Sequence, residues 1–158
     1  MEKHDEVRQY TGRDIVVSYD ARRCIHAAEC LRGLPRVFDT ARRPWISPDG
    51  AMPAEVAEVI ERCPSGALHY VRLDGGLAEL PADPTTITPV RNGPLYVRGA
   101  LQLRATDGTR QITETRMALC RCGASGNKPF CDNSHRRIHF DDGSETAPSQ
   151  HIHEESRA

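Results

Sequence analysis

The chain has 158 residues, a formal net charge of -1, and a composition that is 38% hydrophobic but only 5% aromatic. Arginines interspersed with acids at near-zero net charge exclude a dedicated nucleic-acid surface, and no stretch approaches the roughly 20 apolar residues of a membrane helix. The opening Met1-Glu-Lys-His-Asp-Glu shows neither the apolar core nor the cleavage pattern of an export signal, so we expect a cytoplasmic chain whose cysteines are reduced thiols rather than disulfides.

A polar leader is read over residues 1–9. A strand over 14–19 follows and ends just before Cys24. Residues 27–32 suit a short helix, closed by Gly33 and Pro35. Pro53 opens a better one: Val56, Val59, Ile60 and Cys63 recur at i, i+3, i+4 and i+7, an apolar face that carries Cys63 to the helix end, where Pro64 stops it. A strand over 67–73 completes the first half. Glycines and prolines in 74–84 mark a linker, with the boundary near residue 80. Beyond it, β segments are predicted over 85–91, 95–97, 101–103 and 111–119, with turns at Asn92-Gly93 and Asp107-Gly108. They form a small sheet that presents the loop 120–135. From residue 143 the composition is that of a disordered tail, in which His151 and His153 read as solvated. The expected class is α+β: a β-α-α-β half followed by a small β-rich half.

The loop holds Cys120, Cys122, Cys131 and His135 in the spacing C-x-C-x8-C-x3-H, interleaved with Gly123, Ser125, Gly126 and Pro129, which turn the chain around a core. Zinc accepts three thiolates and an imidazole, but its structural sites usually space paired ligands about two to four residues apart. Only Arg121 separates Cys120 from Cys122. In an extended segment i and i+2 project to the same side, so this pair can present two sulfurs to one iron while Cys131 and His135 hold a second. Iron–sulfur is the favoured chemistry; zinc and chance clustering stay open.

The segment from Leu119 to His135 closely resembles the CDGSH iron-sulfur proteins, the mitoNEET-like family. The resemblance extends upstream through Asn92-Gly93-Pro94-Leu95-Tyr96-Val97-Arg98-Gly99 and downstream to Phe140, covering about residues 86 to 142. It implies a CDGSH-type domain over 85–142 with a 2Fe-2S cluster, Cys120 and Cys122 on the buried iron, Cys131 and His135 on the outer one. Asn133 stands where the family name spells Gly; asparagine is the next residue to tolerate a left-handed backbone. A histidine ligand replaces a charged thiolate with a neutral, titratable donor. Two such replacements in Rieske centres raise the potential from roughly -400 mV to between about -150 and +300 mV, so one should give an intermediate, pH-dependent value.

Three more cysteines, Cys24, Cys30 and Cys63, remain. Cys63-Pro64 matches the way bacterial ferredoxin cluster motifs end, and Cys24-Ile-His-Ala27-Ala-Glu-Cys30 has the ferredoxin frame with Ala27 in place of the middle cysteine. With Arg43-Pro44-Trp45-Ile46 between them, residues 10–73 resemble the divergent single-cluster ferredoxins. This implies a half-ferredoxin-like domain whose second cluster is either 3Fe-4S, or 4Fe-4S with His26, water or hydroxide at the open corner. His26 lies one position from the ligand slot and reads better as a neighbour of the site. His69 reads as packed or solvated. The bland alternative for the three cysteines is buried free thiols.

The expected function is electron transfer by a two-cluster protein. Cluster transfer, or redox and pH sensing with His135 as the release latch, is the alternative; a zinc-stabilised binding module is a lesser one. No Ser-His-acid set, phosphate-cradling loop or carboxylate pair near the ligands suggests an enzyme. The expected partner is a redox protein or a cluster acceptor, not nucleic acid or membrane. Arg136 and Arg137 either steer an acidic partner or are simply solvated. MitoNEET-like proteins pair two single-motif chains, so the resemblance also suggests a homodimer.

Overall fold

The computed structural model describes residues 7–144. Residues 1–6 of the leader, and the tail from 145 with His151 and His153, lie outside the described residues. What is described of the leader already carries a strand, β1 (Arg8–Thr11), which pairs antiparallel with β2 (Ile15–Tyr19). The sequence hides it because its burial pattern has no apolar alternation.

Strand β2 is the centre of the first sheet, flanked by β1 and by β3 (Leu68–Arg72). Ile15 and Val17 point inward with Leu68 and Tyr70, the period-2 burial that one covered face demands. Two α-helices lie between β2 and β3: α1 (Glu29–Gly33) and α2 (Pro53–Glu61). Pro53 sits in the first turn of α2, and the Met52 N–H donates to the Glu55 carboxylate at 2.9 Å, closing the helix start. Val56, Val59 and Ile60 pack against Ile15, Val17 and Phe38 in the main core. The helix stops at Glu61, two residues short of Cys63, whose N–H still bonds the Ile60 carbonyl at 2.9 Å. The observed order is thus β-β-α-α-β rather than the expected β-α-α-β.

The second sheet runs β4 (Thr86–Pro89), β5 (Leu95–Arg104), β6 (Gln111–Leu119), all antiparallel. β5 is one long strand where two short ones were expected. Its register shifts between Arg98 and Leu101. Gly99 sits in that bulge at φ 147°, and a Cβ there would stand 2.2 Å from Thr85 Oγ1, so only glycine fits. A short helix, α3 (Ser134–Arg137), follows the loop after β6. No helix among the described residues is long and apolar enough to cross a membrane.

The halves interlock through buried charge. Arg116 on β6 is 3% exposed. Its guanidinium donates to the carbonyls of Ile60 (2.6 Å), Cys63 (2.7 Å) and Leu68 (2.8 Å), and to Glu79 (2.6 Å). The Arg23 guanidinium pairs with Glu114, donates to the carbonyls of Ser65 and Arg116 at 3.0 and 3.1 Å, and lies 4.6 Å over the Phe130 ring. Gly66 makes the approach possible: its φ is 68°, and a Cβ would meet the Arg116 carbonyl oxygen at 2.3 Å. Glu79 belongs to the segment read as a linker, yet its side chain is 9% exposed and joins Arg116 to His69.

His69 Nδ1 bonds Glu79 at 2.9 Å, and Nε2 lies 3.0 Å from Glu114, near enough for an ion pair but off-line for a hydrogen bond. Burial pulls the His69 pKa down, but Glu114 and Glu79 outweigh it and lift the imidazole to about 9. Because the folded value lies above the unfolded one, this pairing stabilises fully below about pH 6.5 and is lost as pH rises through about 9. Denaturant midpoints measured from pH 6 to 10 should therefore fall across that window, and fall less in His69→Gln. Arg116→Met should lower stability by about 3–5 kcal/mol, since it leaves the carbonyls of Ile60, Cys63 and Leu68 without their donor and takes one of the two cations from Glu79. Chemical unfolding followed by fluorescence and circular dichroism measures that loss.

Candidate metal centres

β6 delivers Cys120 and Cys122 as the chain leaves the sheet. The loop then turns back: Leu119 bridges Phe130, the Cys120 N–H bonds the Pro129 carbonyl at 2.8 Å, and the Cys131 N–H bonds the Ala118 carbonyl at 2.9 Å. Asp132 holds the turn by accepting the N–H groups of Gly126 (2.8 Å) and Ser134 (3.0 Å). Asn133 adopts the left-handed conformation (φ 69°) expected of it and starts α3, which carries His135. Cys120, Cys122, Cys131 and His135 then line one small cavity, closed on another side by Gly93 and Pro94.

Cys120 Sγ and Cys122 Sγ are 3.8 Å apart, and Cys131 Sγ and His135 Nδ1 are 3.6 Å apart. A tetrahedral metal with bonds of about 2.3 Å to sulfur and about 2.1 Å to nitrogen sets two sulfurs about 3.8 Å apart, and a sulfur and a nitrogen about 3.6 Å apart. Each pair thus has the spacing of two donors to one tetrahedral metal. Among the described residues no group of three or more His, Cys, Asp or Glu closes on a single ion; the four donors measure as two pairs. Peptide N–H groups face the sulfurs, Ala124 to Cys122 and Asn133 to Cys131, both at 3.4 Å. Burial raises the Cys120 thiol, but the N–H groups of Ser125 and Gly123, with Cys122 and Lys128, outweigh it and hold its pKa below the ordinary value. Burial and the Arg136 charge lower that of His135, which keeps the imidazole a neutral donor at neutral pH.

Cys24, Cys30 and Cys63 meet at a second cavity, walled by Tyr19, Trp45, Pro64 and Ala27. Cys24 follows β2, Cys30 lies in α1, and Cys63 follows α2. Burial and the neighbouring Cys63 push the Cys30 thiol up to about 11. Cys63 goes the other way: burial raises it, but hydrogen bonds from Ser65 and the Arg116 charge outweigh that and lower it. Three thiols repelling as thiolates in one cavity suit a positively charged occupant. His26 is exposed, its Nδ1 4.0 Å from Cys24 Sγ, and it borders a neighbouring larger cavity instead of this one.

The family described as "Divergent 4Fe-4S mono-cluster" matches residues 10–73, the region of this second cavity. The chain belongs to that family. The one described as "Iron-binding zinc finger CDGSH type" matches residues 92–136, which contain the Cys120 to His135 loop. Two curated relatives, each called "Uncharacterized protein YjdI", come from Escherichia coli strain K12 and strain O157:H7. Each is 46% identical over 63 residues, which is 40% of this chain and 83% of the relative. Two family matches described by iron centres support an iron–sulfur protein.

Contacts at Cys131 and at Asn133 join the sites, and neither was legible beforehand. Cys131, 3% exposed, forms one apolar cluster with Ile25 and Ala118, against which Ala27 and Tyr96 pack. The Asn133 side-chain amide donates to the Ile25 carbonyl at 2.8 Å. The residue that departs from the CDGSH spelling thus clasps the Cys24–Cys30 loop. Tyr19, which lines the second cavity beside Cys24, was also missed, as was Arg116 behind Cys63. Asn133→Gly keeps a backbone suited to φ 69° and deletes only the clasp. It should retain full iron content and lose about 0.5–1.5 kcal/mol of stability in denaturant titration of the loaded chain.

Proposed function

We propose that the chain carries electrons between two iron–sulfur clusters: a 2Fe-2S cluster at Cys120, Cys122, Cys131 and His135, and a 3Fe-4S or 4Fe-4S cluster at Cys24, Cys30 and Cys63. The observation that supports electron exchange within the chain is the apolar cluster of Cys131 with Ile25 and Ala118, against which Ala27 packs; it puts a ligand of one set against the ligand loop of the other. Bound at these sites, iron–sulfur clusters supply one-electron chemistry.

The chain's own residues hold, insulate and tune. Ala118, Ile25 and Tyr96 keep water from the seam between the sites. Cys63, with its lowered pKa, is readier than Cys30 to bind as thiolate, while Cys30 gives up its proton only in exchange for metal. With three thiolates as its protein ligands the first site would have the lower potential, and the histidine would give the second the higher one. Clusters held at the two sites would pass electrons from the first to the second, and on to a redox protein or cluster acceptor in the cytoplasm that meets the exposed Arg136 and Arg137.

Anaerobic purification with iron and sulfide counting should find five or six irons per chain; two would mean a single cluster. In a reductive titration read by EPR, the 2Fe-2S signal should fill first. His135→Cys should lower that potential and flatten its pH dependence; an unchanged slope would sink the histidine assignment. The partly exposed His135 also favours a second reading, in which the protein releases its cluster on acidification. That reading expects faster bleaching of visible absorbance below about pH 6.5, a change that disappears in His135→Cys.

A further inference from the structure

Beside the three-cysteine cavity lies a larger one of about 790 Å³, within the range of small-molecule sites. The two share Tyr19, Cys24, Ala28, Cys30 and Trp45. A molecule in the larger one is therefore separated from the first cluster site by one layer of side chains. Its aromatic wall is Tyr10, Tyr19 and Trp45, with Trp45 edge-on to both tyrosines at centroid distances of 6.4 and 4.9 Å. Its rim carries Arg8, Arg43 and His26 and no carboxylate, although the whole chain holds 22 acids against 21 Lys and Arg. Arg43 Nη1 donates to the carbonyls of Thr40 (2.9 Å) and Arg42 (2.7 Å), which fixes the guanidinium at the rim.

We propose that this cavity binds a planar aromatic molecule that carries a negative charge, its ring against Trp45 and the tyrosines and its anionic group at Arg43 and Arg8. Aromatic faces select the ring, and guanidinium groups select the anion. The choice of flavin mononucleotide as the probe rests on the electron-transfer reading above. The binding itself does not.

The test is isothermal titration calorimetry of the anaerobically purified full-length chain with flavin mononucleotide, with quenching of Trp45, the single tryptophan, to place the ligand. Riboflavin has the same ring without the phosphate, and inorganic phosphate has the anion without the ring. Losing a charged hydrogen bond should weaken binding about tenfold or more, so riboflavin, Arg43→Glu and Arg8→Glu should each show that loss, and phosphate alone should not quench Trp45. Equal affinity for riboflavin, indifference to both charge reversals, or no saturable binding overturns the proposal. Iron counted on the same sample separates the two claims. A two-cluster chain that ignores the flavin defeats only this inference, and a one-cluster chain that binds it with Arg43 dependence defeats only the electron-transfer reading.

Discussion

The Arg116 guanidinium is the contact on which the rest of the structure depends. It is supplied by β6 of the second half, and three of its acceptors are carbonyls of the first: Ile60 at the end of α2, Cys63, and Leu68 at the start of β3. These are the points where the first half turns from helix to cysteine to strand. Burying a guanidinium is unfavourable unless its donors are filled and its charge balanced. Here the carbonyls fill the donors and Glu79 supplies the charge. The same strand ends three residues later at Leu119 and Cys120 follows at once, so one rigid element supports Cys63 and carries the second ligand pair.

This geometry accounts for a small protein with few aromatic residues. The first core is a modest cluster under α2, and the second is built around four buried residues, Val97, Leu101, Met117 and Phe130. Neither half has much apolar area to bury, and small cores usually need staples. The buried network of Arg23, His69, Glu79, Glu114 and Arg116 is one. Metal at two thiol-lined cavities would be the others, with binding energy that counts as folding energy.

The spacing of Cys120, Cys122, Cys131 and His135 announced the loop because it is local: the residues that hold it lie within the same stretch of sequence. α2 and β6 were legible for a similar reason, since Pro53 and the apolar period set the helix and the strand runs unbroken over Gln111–Leu119. What failed to show was whatever depends on a distant partner. β1 is a strand because β2 pairs with it, and β5 stays continuous because Gly99 absorbs a register shift against β6. Glu79 looked like linker because its buried role needs Arg116, 37 positions away. Asn133 was rightly read as a left-handed residue, but the donor on its side chain finds Ile25 across 108 positions.

The two proposed cluster sites would meet at the seam of Cys131 and Ile25, with Ala27 packed against it. EPR of the fully reduced, anaerobically loaded chain tests it most directly. Clusters in contact through that seam should show signals broadened and split by each other's spin, with faster relaxation than either cluster shows when the other is oxidised. Two sharp signals that simply add, with unaltered relaxation, would contradict it.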